Sequence, residues 1–157
     1  MADLYSALIV GESLKPIIKP SSSKYGGRQV LFRAVINMAA ATTTTGSGSD
    51  TTAVTTSDNV LLCRIPAGYS FKCGWMTTDT SLGSAVVAIG TNKSHASNGQ
   101  FRAAATFTAT DTPTPFGKAS ALSASHFTAD TPVYLTCATA NLPTSGTLVI
   151  DIEVARQ

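Results

Sequence analysis

The chain has 157 residues, of which 43% are hydrophobic and 13% charged, with a formal net charge of +2. That length suits one domain plus an arm, and such a domain buries roughly 70% of its unfolded surface without help from a metal or disulfide. The scattered Lys and Arg exclude a nucleic-acid footprint, no apolar run approaches the roughly 20 residues of a bilayer span, and the Met-Ala-Asp-Leu-Tyr-Ser start lacks the basic and apolar regions of a signal peptide.

Residues 1–29 read as an extended N-terminal arm. Leu4, Leu8, Ile9 and Val10 are apolar, and Pro16 and Pro20 bracket Ile17 and Ile18, which rules out a stable helix there. A large apolar side chain left in water costs roughly 1.5–3 kcal/mol. The arm is therefore expected to pack against its own domain or against a neighbouring subunit. Lys15, Lys19, Lys24 and Arg28 face only Asp3 and Glu12 in charge, which fits either a solvated arm or one seated on an acidic surface. Leu4, Tyr5, Leu8, Ile9, Val10, Ile17, Ile18, Tyr25 and Arg28 are the candidate assembly contacts.

The β-sandwich domain is expected over 30–157. Residues 30–38 form the first strand, with Val30, Phe32, Ala34, Ile36 and Met38 on one face and Leu31, Arg33, Val35 and Asn37 on the other. Residues 42–57 are a Thr/Gly/Ser-rich tract expected as a surface loop. A strand over 59–65 leads into a Pro66-Ala67-Gly68 turn. Tyr69 to Thr78 follows, and period two puts Tyr69, Phe71, Cys73 and Trp75 on one face, read as core.

Ser84 to Gly90 is a buried strand, and 91–99 a polar loop. Phe101 to Thr108 allows either a helical turn or a strand, and Ser120 to Phe127 is a short element of either type. Asp111 to Gly117 holds two prolines and reads as a rigid crossing. The last strands are Thr131 to Ala138, with Val133, Leu135 and Cys137 on one face, and Thr147 to Ala155, where Leu148, Ile150, Ile152 and Val154 alternate with Val149, Asp151 and Glu153. Many short strands with regular turn signals and no amphipathic helix predict an all-β fold, an antiparallel β-sandwich of jelly-roll or immunoglobulin-like type.

Chemistry is sparse. His95 and His126 lack metal-pair spacing. Asp151 and Glu153 share a strand face, where a solvated pair is the expected role. Gly46-Ser47-Gly48 does not join a strand to a helix, so it is no phosphate loop. Cys63, Cys73 and Cys137 form no CxxC pair and read as buried free thiols of a chain made in a reducing cytoplasm. No enzyme, metal or cofactor is expected.

Four stretches carry a resemblance. They are Tyr25-Gly-Gly-Arg28 running into Val30-Leu-Phe-Arg-Ala34, Thr78-Asp-Thr-Ser-Leu-Gly-Ser-Ala-Val-Val-Ala-Ile-Gly90, Ala105-Thr-Phe-Thr-Ala-Thr-Asp-Thr-Pro113 and Leu142-Pro-Thr-Ser-Gly-Thr-Leu-Val-Ile-Asp151. In order and spacing the chain resembles the capsid decoration (cement) proteins that tailed bacteriophages encode beside the major capsid protein. The resemblance implies a jelly-roll-like sandwich, often a homotrimer, bound to the capsid exterior with the major capsid protein as partner. It carries over no catalytic residues. A carbohydrate- or receptor-binding module using Trp75, Tyr69 or Tyr134 is the alternative, and a hydrolase would need His95 or His126 beside a carboxylate.

Overall fold

A computed structural model describes residues 3–5, 29–39 and 54–156, with the backbone alone described for 3–5. The expectations for the rest of the arm and for 42–53 lie outside these residues.

The regular secondary structure of the described chain is nearly all strand. In order come β1 (Asp3–Tyr5), β2 (Gln29–Asn37), β3 (Asn59–Ile65), β4 (Tyr69–Thr78), β5 (Val86–Gly90), β6 (Arg102–Thr106), β7 (Thr114–Phe116), the single-turn helix α1 (Ala119–Leu122), β8 (Thr131–Ala138) and β9 (Thr147–Arg156). They form two sheets, one in the order β1-β3-β8-β5-β6 and the other β2-β9-β4-β7. All pairings are antiparallel except β1 on β3.

The two sheets enclose a core of aliphatic side chains. Leu148, Ile150, Ile152 and Val154 project from β9, facing Val133, Leu135 and Cys137 of β8 and Val87 and Ile89 of β5. Strict alternation along β9 delivers this, because each inward residue is followed by an outward one. β2 behaves likewise, burying Val30, Ala34 and Ile36, with Met38 buried just past its end. Phe71 stacks on Phe101 with centroids 4.4 Å apart, and Phe101 meets Phe127 edge-on at 6.3 Å, closing one end of the core. The Phe116 ring lies over Gly74, where any Cβ would collide with it.

Two ambiguous stretches resolve. Phe101 is a core ring and Arg102–Thr106 is the edge strand β6, whose three consecutive alanines are all exposed. Residues 119–122 make one helical turn that buries Ala121. The Pro66-Ala67-Gly68 turn forms as read, with Gly68 at φ 85° and Tyr69 N–H donating to the Pro66 carbonyl at 3.3 Å.

The end of the 42–57 tract is docked rather than loose. Val54 is buried, Leu142 N–H donates to its carbonyl at 2.9 Å, and Asp58 Oδ2 accepts from both the amide and the hydroxyl of Thr55.

One reading is corrected. Phe71 is core, but Cys73 and Trp75 are not on its face. Opposite β9, Phe71 pairs with Val154 and Cys73 with Glu153, so β4 carries one extra residue, Lys72. This β-bulge inverts the alternation downstream. Gly74, Met76 and Thr78 turn inward and are buried, while Cys73, Trp75 and Thr77 share the face of Glu153, Asp151 and Val149.

Candidate assembly surface

The outward face of the β2-β9-β4-β7 sheet is built from the residues that β2, β9 and the bulged β4 do not bury. Its central row runs Pro115, Trp75, Asp151, Arg33 across four strands. Arg33 and Asp151 form a two-pronged pair, Nε to Oδ1 and Nη2 to Oδ2, both at 2.7 Å. The pairing raises the guanidinium pKa, first through the hydrogen bond and then through Asp151's charge. Beside this row stand Leu31 at 54% exposure and Val35 at 40%, both on β2. Apolar side chains thus flank a charge pair that is already neutralised within the chain. Such a face docks at small cost, because little charge has to be desolvated.

Cys73 sits at the margin of this face. Its thiol donates to Glu153 Oε2 at 3.4 Å. Burial first, and Glu153 second, push its pKa up to about 11. Cys63 and Cys137 are buried as read, and burial pushes both upward, Cys137 to about 11.

The sheet edges differ in how they are protected. β7 is three residues long and carries Pro115, both of which discourage strand addition. β6 is bulged against β5, and the Arg102 guanidinium donates to the carbonyls of Val87, Ala103, Ala105 and Thr106, so its carbonyls are occupied by the chain's own side chain. β2 has neither device. It pairs with β9 over nine consecutive residues without a bulge or proline. Among the described residues no strand pairs along its other side, and an edge of that length and regularity suits the addition of another strand.

The outward face of the other sheet is largely closed. Asn59, Leu61, Ala88, Tyr134 and Thr136 are all buried there. The Asn98 amide donates to the carbonyls of Ala88 and Tyr134 and to Thr136 Oγ1, pinning the 91–100 loop across β5 and β8. Asn59 is fully buried, yet neither its amide nitrogen nor its oxygen has a hydrogen-bond partner in the protein.

Of the candidate assembly contacts, Leu4 and Tyr5 fall in β1, paired with Val60 and Leu61. Leu8, Ile9, Val10, Ile17, Ile18, Tyr25 and Arg28 lie outside the described residues. Sequence reasoning missed Leu31, Val35, Trp75 and the Arg33–Asp151 pair as one face. The alternation of β2 already set Leu31 and Val35 outward, but the bulge that brings Trp75 beside them has no sequence signature.

Features of an enzyme do not converge among the described residues. His95 lies in a single turn of 3-10 helix and His126 in an exposed loop. A pocket of about 360 Å³ beside α1 is lined by Phe71, Phe101, Phe127 and Ala121 with Gln100 and Lys118, and by no histidine or carboxylate. No three His, Cys, Asp or Glu side chains gather as a metal site among the described residues.

No protein-family model and no curated protein matches the sequence. Solved structures do match the fold. A chain of the cyanophage Pam1 capsid asymmetric unit is 15% identical with a TM-score of 0.59, over 92% of this chain and 95% of that one. A chain of the Helicobacter pylori bacteriophage KHP30 acid-stable capsid is 13% identical with a TM-score of 0.52, over 81% and 86%. A chain of the Ralstonia phage GP4 capsid is 14% identical with a TM-score of 0.59 over 99% of both chains, so the described residues share the all-β fold of a chain found in phage capsids.

Proposed function

We propose that this chain is a structural virion protein that binds the outside of a phage capsid and stabilises it by bridging capsid subunits. The end-to-end match to a chain of the Ralstonia phage GP4 capsid carries this reading. The outward face around Trp75, Leu31 and Val35, with its internally neutralised charge pair, supplies the kind of surface such docking needs. The partner is the major capsid protein, the working form is a homotrimer, and the arm over 1–29 adds contacts through its apolar residues. The protein is made in the host cytoplasm and performs no catalysis.

The test is add-back. Capsids lacking this protein are incubated with the purified chain, and bound stoichiometry and the temperature of shell rupture are measured. Saturable binding with a higher rupture temperature supports the reading. Failure to bind, or binding without any change in rupture, overturns it.

A second reading is a carbohydrate- or receptor-binding module. It is favoured by Trp75 standing beside Asp151 in the same cross-strand row, since a ring next to a hydrogen-bonding pair suits a sugar face. Quenching of Trp75 fluorescence by oligosaccharides at millimolar concentration would favour it over capsid docking.

A further inference from the structure

We propose that the seat on β3 occupied by β1 is filled by residues 3–5 of a second copy, so that the chains exchange N-terminal strands. This rests on the homo-oligomeric part of the proposed function and adds the element that joins the copies.

The seat itself has the character of an interior position. Asn59, Val60 and Leu61 are all buried, and β8 pairs along their other side. β1 completes the remaining edge in parallel register, Asp3 with Asn59, Leu4 with Val60 and Tyr5 with Leu61. Without β1, the backbone groups on that edge of β3 would lack their ladder.

Nothing in the topology ties this strand to its own chain. β1 is the one parallel partner among the described strands, so no hairpin turn fixes its register. β2, the next described strand, lies in the other sheet. Residues 6–28 join the two strands, and extended they reach on the order of 75 Å at about 3.3 Å per residue. A domain of this length has a radius of gyration of about 15 Å. That contour length exceeds the domain's own width, so it is long enough to reach a neighbouring copy. Exchange reproduces every ladder bond at the same site in a neighbour, so it joins copies without requiring new surface.

Three paired residues make a weak strand alone. Within one chain, a segment as long as 6–28 concentrates them near the seat only modestly. In a closed ring, each copy gives one strand and receives one, and all the seats fill together. That reciprocity is what a short strand on a long tether can contribute to assembly.

The test uses two singly substituted full-length chains, Leu4→Cys and Val60→Cys, mixed, refolded together and oxidised with oxidised glutathione. Adjacent strands lie about 4.8 Å apart, within disulfide range. The native thiols are protected by their raised pKa values, and the unsubstituted protein serves as the control. Exchange predicts a disulfide-linked heterodimer in the mixture, absent when Leu4→Cys is mixed instead with the exposed Ser97→Cys chain. A doubly substituted chain giving only an intrachain disulfide, with no cross-link in the mixture, overturns the proposal. So does the absence of any cross-link. Capsid binding is read separately: interchain cross-links with no capsid binding sink the virion reading alone, and capsid binding with intrachain disulfides sinks only the exchange.

Discussion

Phe71 and Trp75 stand on opposite faces of β4 although four residues separate them, a spacing that on a regular strand would put both on one side. The extra residue Lys72 makes the difference, and it places the chain's single tryptophan on the outward face beside Asp151. Trp75 is therefore a reporter of that face. Its emission is expected to be accessible to acrylamide in the isolated protein, and to shift to the blue with reduced quenching when capsids bind. Trp75→Ala is expected to weaken capsid binding at least tenfold while lowering Tm by only a few degrees. Unchanged quenching in the bound state would show that another surface makes the contact.

Asn59 is expected to be a stability liability in the isolated protein. A buried amide without partners costs about 1–3 kcal/mol. Asn59→Leu, of similar size and apolar, is expected to raise the stability measured by urea unfolding, or leave it unchanged. A loss above about 2 kcal/mol, on the scale of a broken buried hydrogen bond, would show that the amide is satisfied after all.

The three thiols give a pH signature. All are raised in the folded state, chiefly by burial. Below the ordinary thiol value of about 8.5 they are neutral whether the chain is folded or not. Above it the unfolded chain loses protons first, so stability is full below that value and declines as pH rises toward the folded values. Tm is expected to fall between about pH 8.5 and 11, and a variant with all three cysteines replaced by valine or serine should lose that part of the slope. Alkylation by iodoacetamide at pH 8 is expected to be slow in the native protein and complete in denaturant.

Asp79 gives the opposite sign. Its Oδ1 accepts from Thr147 N–H at 2.7 Å and Thr80 Oγ1 at 3.0 Å, and the Thr147 bond is the main cause of its lowered pKa. This stabilisation is present above the ordinary carboxylate value near 3.9 and is lost as pH falls through the lower folded value. Asp79→Ala is expected to lower Tm at neutral pH and to flatten the acid limb of the stability profile below about pH 4. An unchanged acid limb would exclude Asp79 as its source.

Arg102 holds its carbonyls with a planar, forked group that a lysine cannot reproduce. Arg102→Lys is expected to cost about 1–3 kcal/mol and to speed amide exchange along β6 before the core. Equal exchange rates in the two proteins would show that β6 does not depend on the clasp.

The sheets were legible in the sequence wherever alternation is regular. β9 and β8 bury the residues that period two assigns inward, and β2 does so apart from the half-buried Phe32. Reading failed where register breaks. Lys72 in β4 and Leu62 in β3 are extra residues relative to the partner strand, and neither is a glycine or proline that would mark a bulge in advance. The closed outer face of the β8 sheet was also missed. Tyr134 and Thr136 alternate with the core residues as an exposed face would, and their burial depends on the loop that Asn98 fastens over them. The Arg33–Asp151 pair depends on β2 lying beside β9, 118 residues apart in the chain, which no local pattern announces.

The bulge at Lys72 carries a lesson in how such a surface changes over evolutionary time. Deleting one codon there would restore simple alternation without turning Trp75 inward, because Phe71 and Trp75 would then stand three residues apart and keep the opposite faces and the β9 partners they have now. The outward face is thus held by the partners that β9 offers on either side of the bulge, and it survives loss of the extra residue. A one-residue loss at Lys72 is absorbed at the bulge itself, while substitutions at Trp75, Leu31 or Val35 change the docking surface.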